Sequence, residues 1–360
     1  MIFENHAKCK IYFDGSHYIA VIPRKRYRKY HPKKPEQEFT VLISDVKIEE
    51  ELDDEIDDIS NENYVVDKEP ADECNAAQSP IGQAVNASSK GATEVKMTRK
   101  EIFNMFYKER LSLRKKERRK ALIEDMRPYF ATDEETALYV DKKLEEKQNN
   151  LIRKRIRLSR KCRLQEFNYF VTFTYDDKLH TEQSFKKSIM RCLRHLCERK
   201  GWRYLGVWER GGKNERLHYH ALLYVPENTM PGTMFETNDF NFKRHTRKIV
   251  TQNTYFVANF GRCEFDEIHN TWEQADCLRY LMKYLEKSGE RITSSKGVKE
   301  FFVSDILEED ILMQYGFDEY KVILSDDFQC IMDGELLGRV SPELIRYLIE
   351  AENTQNKKGS

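Results

Sequence analysis

The sequence predicts an α+β fold built on a central, mainly antiparallel sheet flanked by helices. Between residues 167 and 289, β-rich runs alternate with amphipathic helical stretches. Two of those runs are joined by a Gly-Gly turn, the composition of an antiparallel hairpin. The same stretch closes on a long helix, after which a smaller α/β segment follows.

KIYFDGSHYIAVIP (10–23) reads as two short β-runs around the Asp14-Gly15 turn signal. RKRYRKYHPKK (24–34) carries seven Lys/Arg with Tyr27 and Tyr30 interleaved, a mixture able to neutralise phosphates and stack on unpaired bases, or to serve only as a solvated arm. Asp45 to Glu73 holds fourteen acidic against two basic residues and runs into a polar, small-residue stretch at 74–94. Such a composition cannot bury enough apolar surface to offset chain entropy, so 45–98 is expected to be an acidic disordered linker. Residues 99–120 reverse the sign with ten Lys/Arg and three acids, and their apolar positions recur at helical spacing, predicting a basic helix. Further helical sequence follows Pro128 and ends in RKRIRLSRKCR (153–163), seven cations without an acid. Arg153, Lys154, Arg155, Arg157, Arg160 and Lys161 are therefore candidate contacts to an anionic polymer.

From 164 to 290 the texture is that of a folded domain. FNYFVTFTYDD (167–177) predicts a strand, 181–201 an amphipathic helix ending at Gly201, and RYLGVWE (203–209) a second strand. RGGKNER (210–216) predicts the turn, and LHYHALLYV (217–225) a strand apolar on both faces apart from two histidines. YFVANFGRCEFDEI (255–268) predicts one or two more strands, and 271–289 a helix with Thr271 as N-cap and Gly289 as terminator. Residues 291–360 read as a small C-terminal α/β appendage, and 1–44 as a separate hairpin with a basic arm.

Composition excludes several classes. No apolar run approaches the roughly 18 residues that span a bilayer, and MIFENHAKCK lacks a secretory leader, so no membrane partner is expected. The eight cysteines form no CxxC pair, which predicts reduced intracellular thiols. No GxxxxGK[ST] loop is present.

His218 and His220 are two apart on one strand, so both imidazoles leave the same face, about 6.6 Å apart at the Cα atoms. Two such rings in an otherwise apolar strand carry a desolvation cost unless they are employed, which points to a metal ion rather than to two structural histidines. Glu209 ends the preceding strand, and the hairpin brings a carboxylate beside them, with Glu215 as the local competitor. Two nitrogens and an oxygen suit Mg²⁺ or Mn²⁺. On the last helix Tyr280 and Tyr284 are four apart and share a face, while Lys283 and Lys287 repeat that spacing beside them. Without the histidines, a packed core helix would explain these tyrosines equally well.

Taken together, these motifs resemble the HUH (His-hydrophobic-His) endonuclease superfamily. HYH at 218–220 matches its metal motif, FVTFTYDD at 170–177 its opening strand, and YLMKYLEKSG at 280–289 its tyrosine motif. The Y-x3-Y spacing is similar to the two-tyrosine rolling-circle initiators of small single-stranded DNA phages, the gene A type, and of related bacterial elements. That resemblance implies an HUH/RRM-like domain and a metal held by His218, His220 and Glu209. It implies attack on DNA by Tyr280, a second attack by Tyr284, and phosphate orientation by Lys283. It further implies single-stranded origin DNA as substrate, a host helicase and replication machinery as partners, and the cytoplasm of a bacterial host. A two-tyrosine rolling-circle transposase and a non-catalytic DNA-binding protein on the same fold are the alternatives.

Overall fold

The computed structural model describes residues 6–23, 37–43, 93–211, 216–241, 245–288 and 292–358. The basic arm at 24–34 and the acidic tract at 45–73 lie outside the described residues, as do Glu215 and Gly289. The chain divides into two compact units, residues 24–148 and residues 1–23 with 149–360.

The chain opens with β1 (His6–Phe13) and β2 (Tyr18–Val21), paired as a hairpin. Its turn is held by Asp14, whose carboxylate accepts from the backbone N–H of Ser16 and of His17, both at 2.9 Å. In the smaller unit, β3 (Glu38–Ile43) pairs with β4 (Thr93–Thr98), and Thr98 caps α1 (Arg99–Glu109) in a reciprocal box with Glu101. A second helix, α2 (Lys115–Met126), and the start of α3 (Asp133–Arg163) complete it around Val41, Ile102, Phe103, Leu122, Met126 and Val140. The single basic helix expected over 99–120 is thus two. The break is held by Arg118, which donates to the carbonyls of Arg110, Leu111 and Leu113 at 3.1, 2.7 and 2.9 Å.

The larger unit continues with β5 (Tyr169–Thr174), α4 (Glu182–Lys200), β6 (Arg203–Gly211) and β7 (Arg216–Tyr224). A hairpin of β8 (Met234–Asn241) and β9 (Thr246–Asn253) follows, then α5 (Thr254–Phe260), β10 (Cys263–Glu267), α6 (Thr271–Ser288) and β11 (Ile292–Ser294). Five of these strands make one antiparallel sheet in the order β10-β5-β7-β6-β11. One face buries Val171, Phe173, Leu217, Tyr219, Ala221 and Leu223 against α4 and α5. The other buries Phe170, Leu205, Val207 and Leu222 against Leu278, Leu281, Tyr284 and Leu285 of α6 and Leu158 and Cys162 of α3. Full burial of each large apolar side chain is worth about 1.5–3 kcal/mol, so both faces lock the strands in register.

Two local expectations are corrected. Residues 254–260 are helical rather than a strand, because the Asn253 side chain accepts from the N–H groups of Tyr255 and Phe256 while Phe256 and Phe260, four apart, enter one core. Asn270, not Thr271, supplies the cap of α6: its side-chain oxygen accepts from Trp272 and Glu273, each at 3.0 Å.

The chain ends with β12 (Phe302–Ile306), β13 (Ile311–Tyr315), β14 (Asp318–Leu324), β15 (Gln329–Met332), β16 (Glu335–Arg339) and α7 (Pro342–Lys358). These strands do not stand apart from the N-terminal hairpin. They join it in a seven-stranded sheet ordered β13-β14-β2-β1-β12-β15-β16, with Ile345, Leu348 and Ile349 of α7 packed on Ile11, Phe302 and Phe328.

Candidate active site

The two histidines stand on β7, the middle strand of the five-stranded sheet, and alternate with residues of the opposite face. His218 and His220 look towards α6, whereas Leu217, Tyr219 and Ala221 fill the α4 side. The hairpin register sets Glu209 directly opposite His218. Its carboxylate Oε2 lies 2.8 Å from His220 Nε2, and the two residues are only 9% and 4% exposed. On the other flank, β5 sets Thr174 opposite His218 and Thr172 opposite His220. The threonine hydroxyls meet the respective Nδ1 atoms at 2.8 and 2.9 Å. Burial, and then the nearby His220, hold the His218 imidazole below its usual pKa, with Glu209 opposing. His218 therefore favours its neutral form, the one that carries a free lone pair.

Gly211 closes the hairpin end of the site. A β-carbon there would meet His218 Cδ2 at 3.2 Å, His218 Nε2 at 3.5 Å and the Glu209 carboxyl carbon at 3.8 Å. Glycine leaves room between the second histidine nitrogen and the carboxylate that any other residue would fill.

Helix α6 brings its tyrosines to the same place. The ring of Tyr284 stacks on His220 with centroids 4.5 Å apart, and Tyr280 meets both rings edge-on, 5.8 Å from His220 and 4.8 Å from Tyr284. Their surroundings differ. Tyr280 is 41% exposed and Tyr284 6%. Burial first, then a hydrogen bond shared with Tyr280, raises the Tyr284 pKa above the ordinary phenol range, and its hydroxyl also hydrogen-bonds Glu209. Lys283 is exposed beside them, while the side chain of Lys287 lies outside the described residues.

The basic block of α3 is not gathered at this site. Arg160 lies 4.0 Å above the ring of Tyr12, Lys161 donates to Ser294 Oγ at 2.8 Å, and Arg157 pairs with Glu300 at 3.7 Å. These three face the unit's own sheets. Arg153 is exposed, and Lys154 and Arg155 are half-buried.

Among the described residues no group of three or more His, Cys, Asp or Glu stands ready-made as a metal cluster, because the Glu209 carboxylate is turned onto His220. Three site residues escape the sequence reading: Thr172, Thr174 and Gly211. The signal for the threonines is nevertheless present, since T-x-T at 172–174 repeats the period of H-x-H at 218–220.

No curated protein and no solved structure matches the chain. Residues 168–289, a third of the chain containing both histidines and both tyrosines, match the family model of the replication-associated protein ORF2, which makes this segment replication-associated in kind.

Proposed function

We propose that the chain initiates rolling-circle replication as a metal-dependent single-strand DNA endonuclease and strand-joining enzyme that forms a 5′-phosphotyrosine link. The observation that carries this reading is the meeting of His218, His220 and Glu209 with an exposed tyrosine, Tyr280, within a segment that matches a replication-associated family.

The residues fit a divalent ion. Both Nδ1 atoms already have hydroxyl partners, which leaves the Nε2 atoms and the Glu209 carboxylate as donors, and Gly211 keeps the space between them clear. Mg²⁺ or Mn²⁺ held there supplies Lewis-acid charge for the oxygens of the scissile phosphate. The Tyr280 hydroxyl then attacks phosphorus and displaces the 3′-oxygen, exchanging one phosphoester for another and releasing a free 3′-OH to prime synthesis. Exposed Lys283 is positioned to hold the phosphate. Tyr284, one helical turn on, serves as the second nucleophile that closes and releases the circle. Single-stranded origin DNA is the substrate, and unwinding falls to a host helicase.

The test is covalent trapping of the purified protein with Mn²⁺ on a randomised single-stranded oligonucleotide pool. A metal-dependent adduct on the 5′ side of the break, lost in the Tyr280→Phe Tyr284→Phe protein, is expected. DNA binding without an adduct in any divalent metal overturns the reading in favour of a non-catalytic DNA-binding protein.

A further inference from the structure

The histidine pair is matched, residue for residue, by a threonine pair on the neighbouring strand. Strand β5 runs antiparallel to β7 with Thr172 opposite His220 and Thr174 opposite His218. Both sequences alternate with the sheet period, so the two hydroxyls and the two rings share one face, while Val171 and Phe173 enter the core of the other. Each hydroxyl reaches the Nδ1 atom of its ring, at 2.9 Å for Thr172 and 2.8 Å for Thr174. Neither threonine needs this face for packing alone, since valine would fill the same volume.

A neutral imidazole has one N–H, and a partner at one nitrogen sets what the other can do. The two rings differ on their far sides. His220 Nε2 faces the Glu209 carboxylate, which accepts only, so Nε2 carries the hydrogen and Nδ1 must accept from the Thr172 hydroxyl. If Nε2 of either ring is to bind a cation, its hydrogen has to sit on Nδ1 instead, where the threonine must accept. A hydroxyl can do both by rotating about one bond, whereas a carboxylate accepts only and an ammonium donates only.

We propose that Thr172 and Thr174 are positioning residues of the histidine pair, holding both rings by Nδ1 and allowing each ring to present Nε2 to a divalent cation by exchanging donor and acceptor roles. The inference rests on the metal reading of His218 and His220 given above. Threonine's stiff χ1 contributes, because a β-branched side chain holds its hydroxyl in few orientations.

The experiment uses the full chain with Mn²⁺ as the probe and no DNA, reading affinity by titration calorimetry. Thr172→Val and Thr174→Val keep shape and branching and remove the hydroxyl; Thr172→Ser and Thr174→Ser keep the hydroxyl. Loss of an outer hydrogen-bond partner typically weakens metal binding about 10–100-fold. Each valine variant is expected to lose Mn²⁺ affinity by about tenfold or more, with unchanged melting temperature, and each serine variant to recover most of it. Wild-type affinity in both folded valine variants overturns the proposal. A second measurement does not depend on the variants folding: ¹⁵N spectra of histidine-labelled wild-type protein with saturating Mg²⁺. Hydrogen on Nδ1 of both rings is expected, and hydrogen on Nε2 of either overturns the proposal. His218→Ala and His220→Ala separate the two levels. If they bind Mn²⁺ like the wild type, the metal reading itself fails; if they lose it while the valine variants do not, only the role of the threonines fails.

Discussion

The imidazole of His220 lies flat on the ring of Tyr284, with centroids 4.5 Å apart and planes within 4° of parallel. The second tyrosine is thereby built into the floor of the histidine site, while the first stands over it and faces outward. Two nucleophile candidates with the same spacing and the same helix face thus have unequal access to a strand of DNA.

This inequality orders the tyrosines. Tyr280 is open to substrate, whereas Tyr284 is covered and its hydroxyl is engaged with Tyr280 and Glu209. Tyr280→Phe is expected to abolish the first covalent adduct. Tyr284→Phe is expected to leave that adduct at least half as abundant but to remove circle release, which a single-turnover assay on a labelled origin oligonucleotide reads directly. Equal loss of the first adduct in both variants would show that the tyrosines are interchangeable.

Gly211 makes a prediction about space. Its φ lies outside the left-handed region, so alanine fits the backbone, and the only obstacle is the β-carbon meeting His218 at 3.2 Å. Crowding at that distance makes the imidazole give by a few tenths of an ångström. Gly211→Ala is expected to lower cleavage about tenfold or more, as small misplacements at a reacting centre do, with little change in melting temperature or DNA affinity. Wild-type cleavage in this variant would place the reacting groups elsewhere.

The sheet that holds the site was legible because its signals are local. The alternation in 217–225, the Gly-Gly turn before it and the i, i+4 tyrosines fix which residues share a face, and β6, β7 and α6 present Glu209, His218, His220, Tyr280 and Tyr284 together. What the sequence hid is non-local. Nothing in residues 6–21 marks β12 and β14 as their partners some three hundred positions away, because strand pairing is decided by the complementarity of two surfaces and only one is visible in any window. Residues 254–260 misled for a different reason: Phe256, Val257 and Phe260 favour strands by propensity, and a side-chain cap from Asn253 with burial of one face outweighs that preference. The cations of α3 show the same limit, since charge counts do not reveal that Arg157, Arg160 and Lys161 are engaged within the fold.

The end of β6 is tied to α4 by an ion pair with a defined pH signature. Arg210 leaves the face opposite Glu209 and forks onto Glu182, in the first turn of α4, with one of its two bonds at 2.7 Å. The hydrogen bond from Arg210 holds the Glu182 carboxyl below its usual pKa of 4.5. A depressed folded-state pKa means that the unfolded chain binds the proton more tightly, so this stability is present above 4.5 and is lost as pH falls through the folded value. Both side chains are about a third exposed, which limits the pair to about 0.5–1 kcal/mol. Glu182→Gln is expected to lower the melting temperature near neutral pH and to match the wild type at about pH 3. A constant difference across that range would show that the carboxylate's charge is not what stabilises.

The basic block of α3 separates into residues that serve the fold and residues free to serve DNA. Lys161 is bonded to Ser294 and its pKa is lowered, chiefly by burial, so its ammonium is spent inside the unit. Arg157 faces Glu300, which is largely covered, and removing the arginine would leave a carboxylate short of its partner. Lys161→Ala and Arg157→Ala are therefore expected to cost about 1 kcal/mol of stability each without altering how single-stranded DNA affinity responds to salt. Arg153 projects outward on the same helix. If this helix borders the DNA path, Arg153→Ala is expected to weaken binding to every sequence alike and to reduce the slope of log K against log salt by about 0.7, the contribution of one phosphate contact on a single strand. Anisotropy titrations at several salt concentrations, paired with thermal melts, measure both quantities on the same three proteins. A slope change in Lys161→Ala and none in Arg153→Ala would reverse the division of labour argued from their contacts.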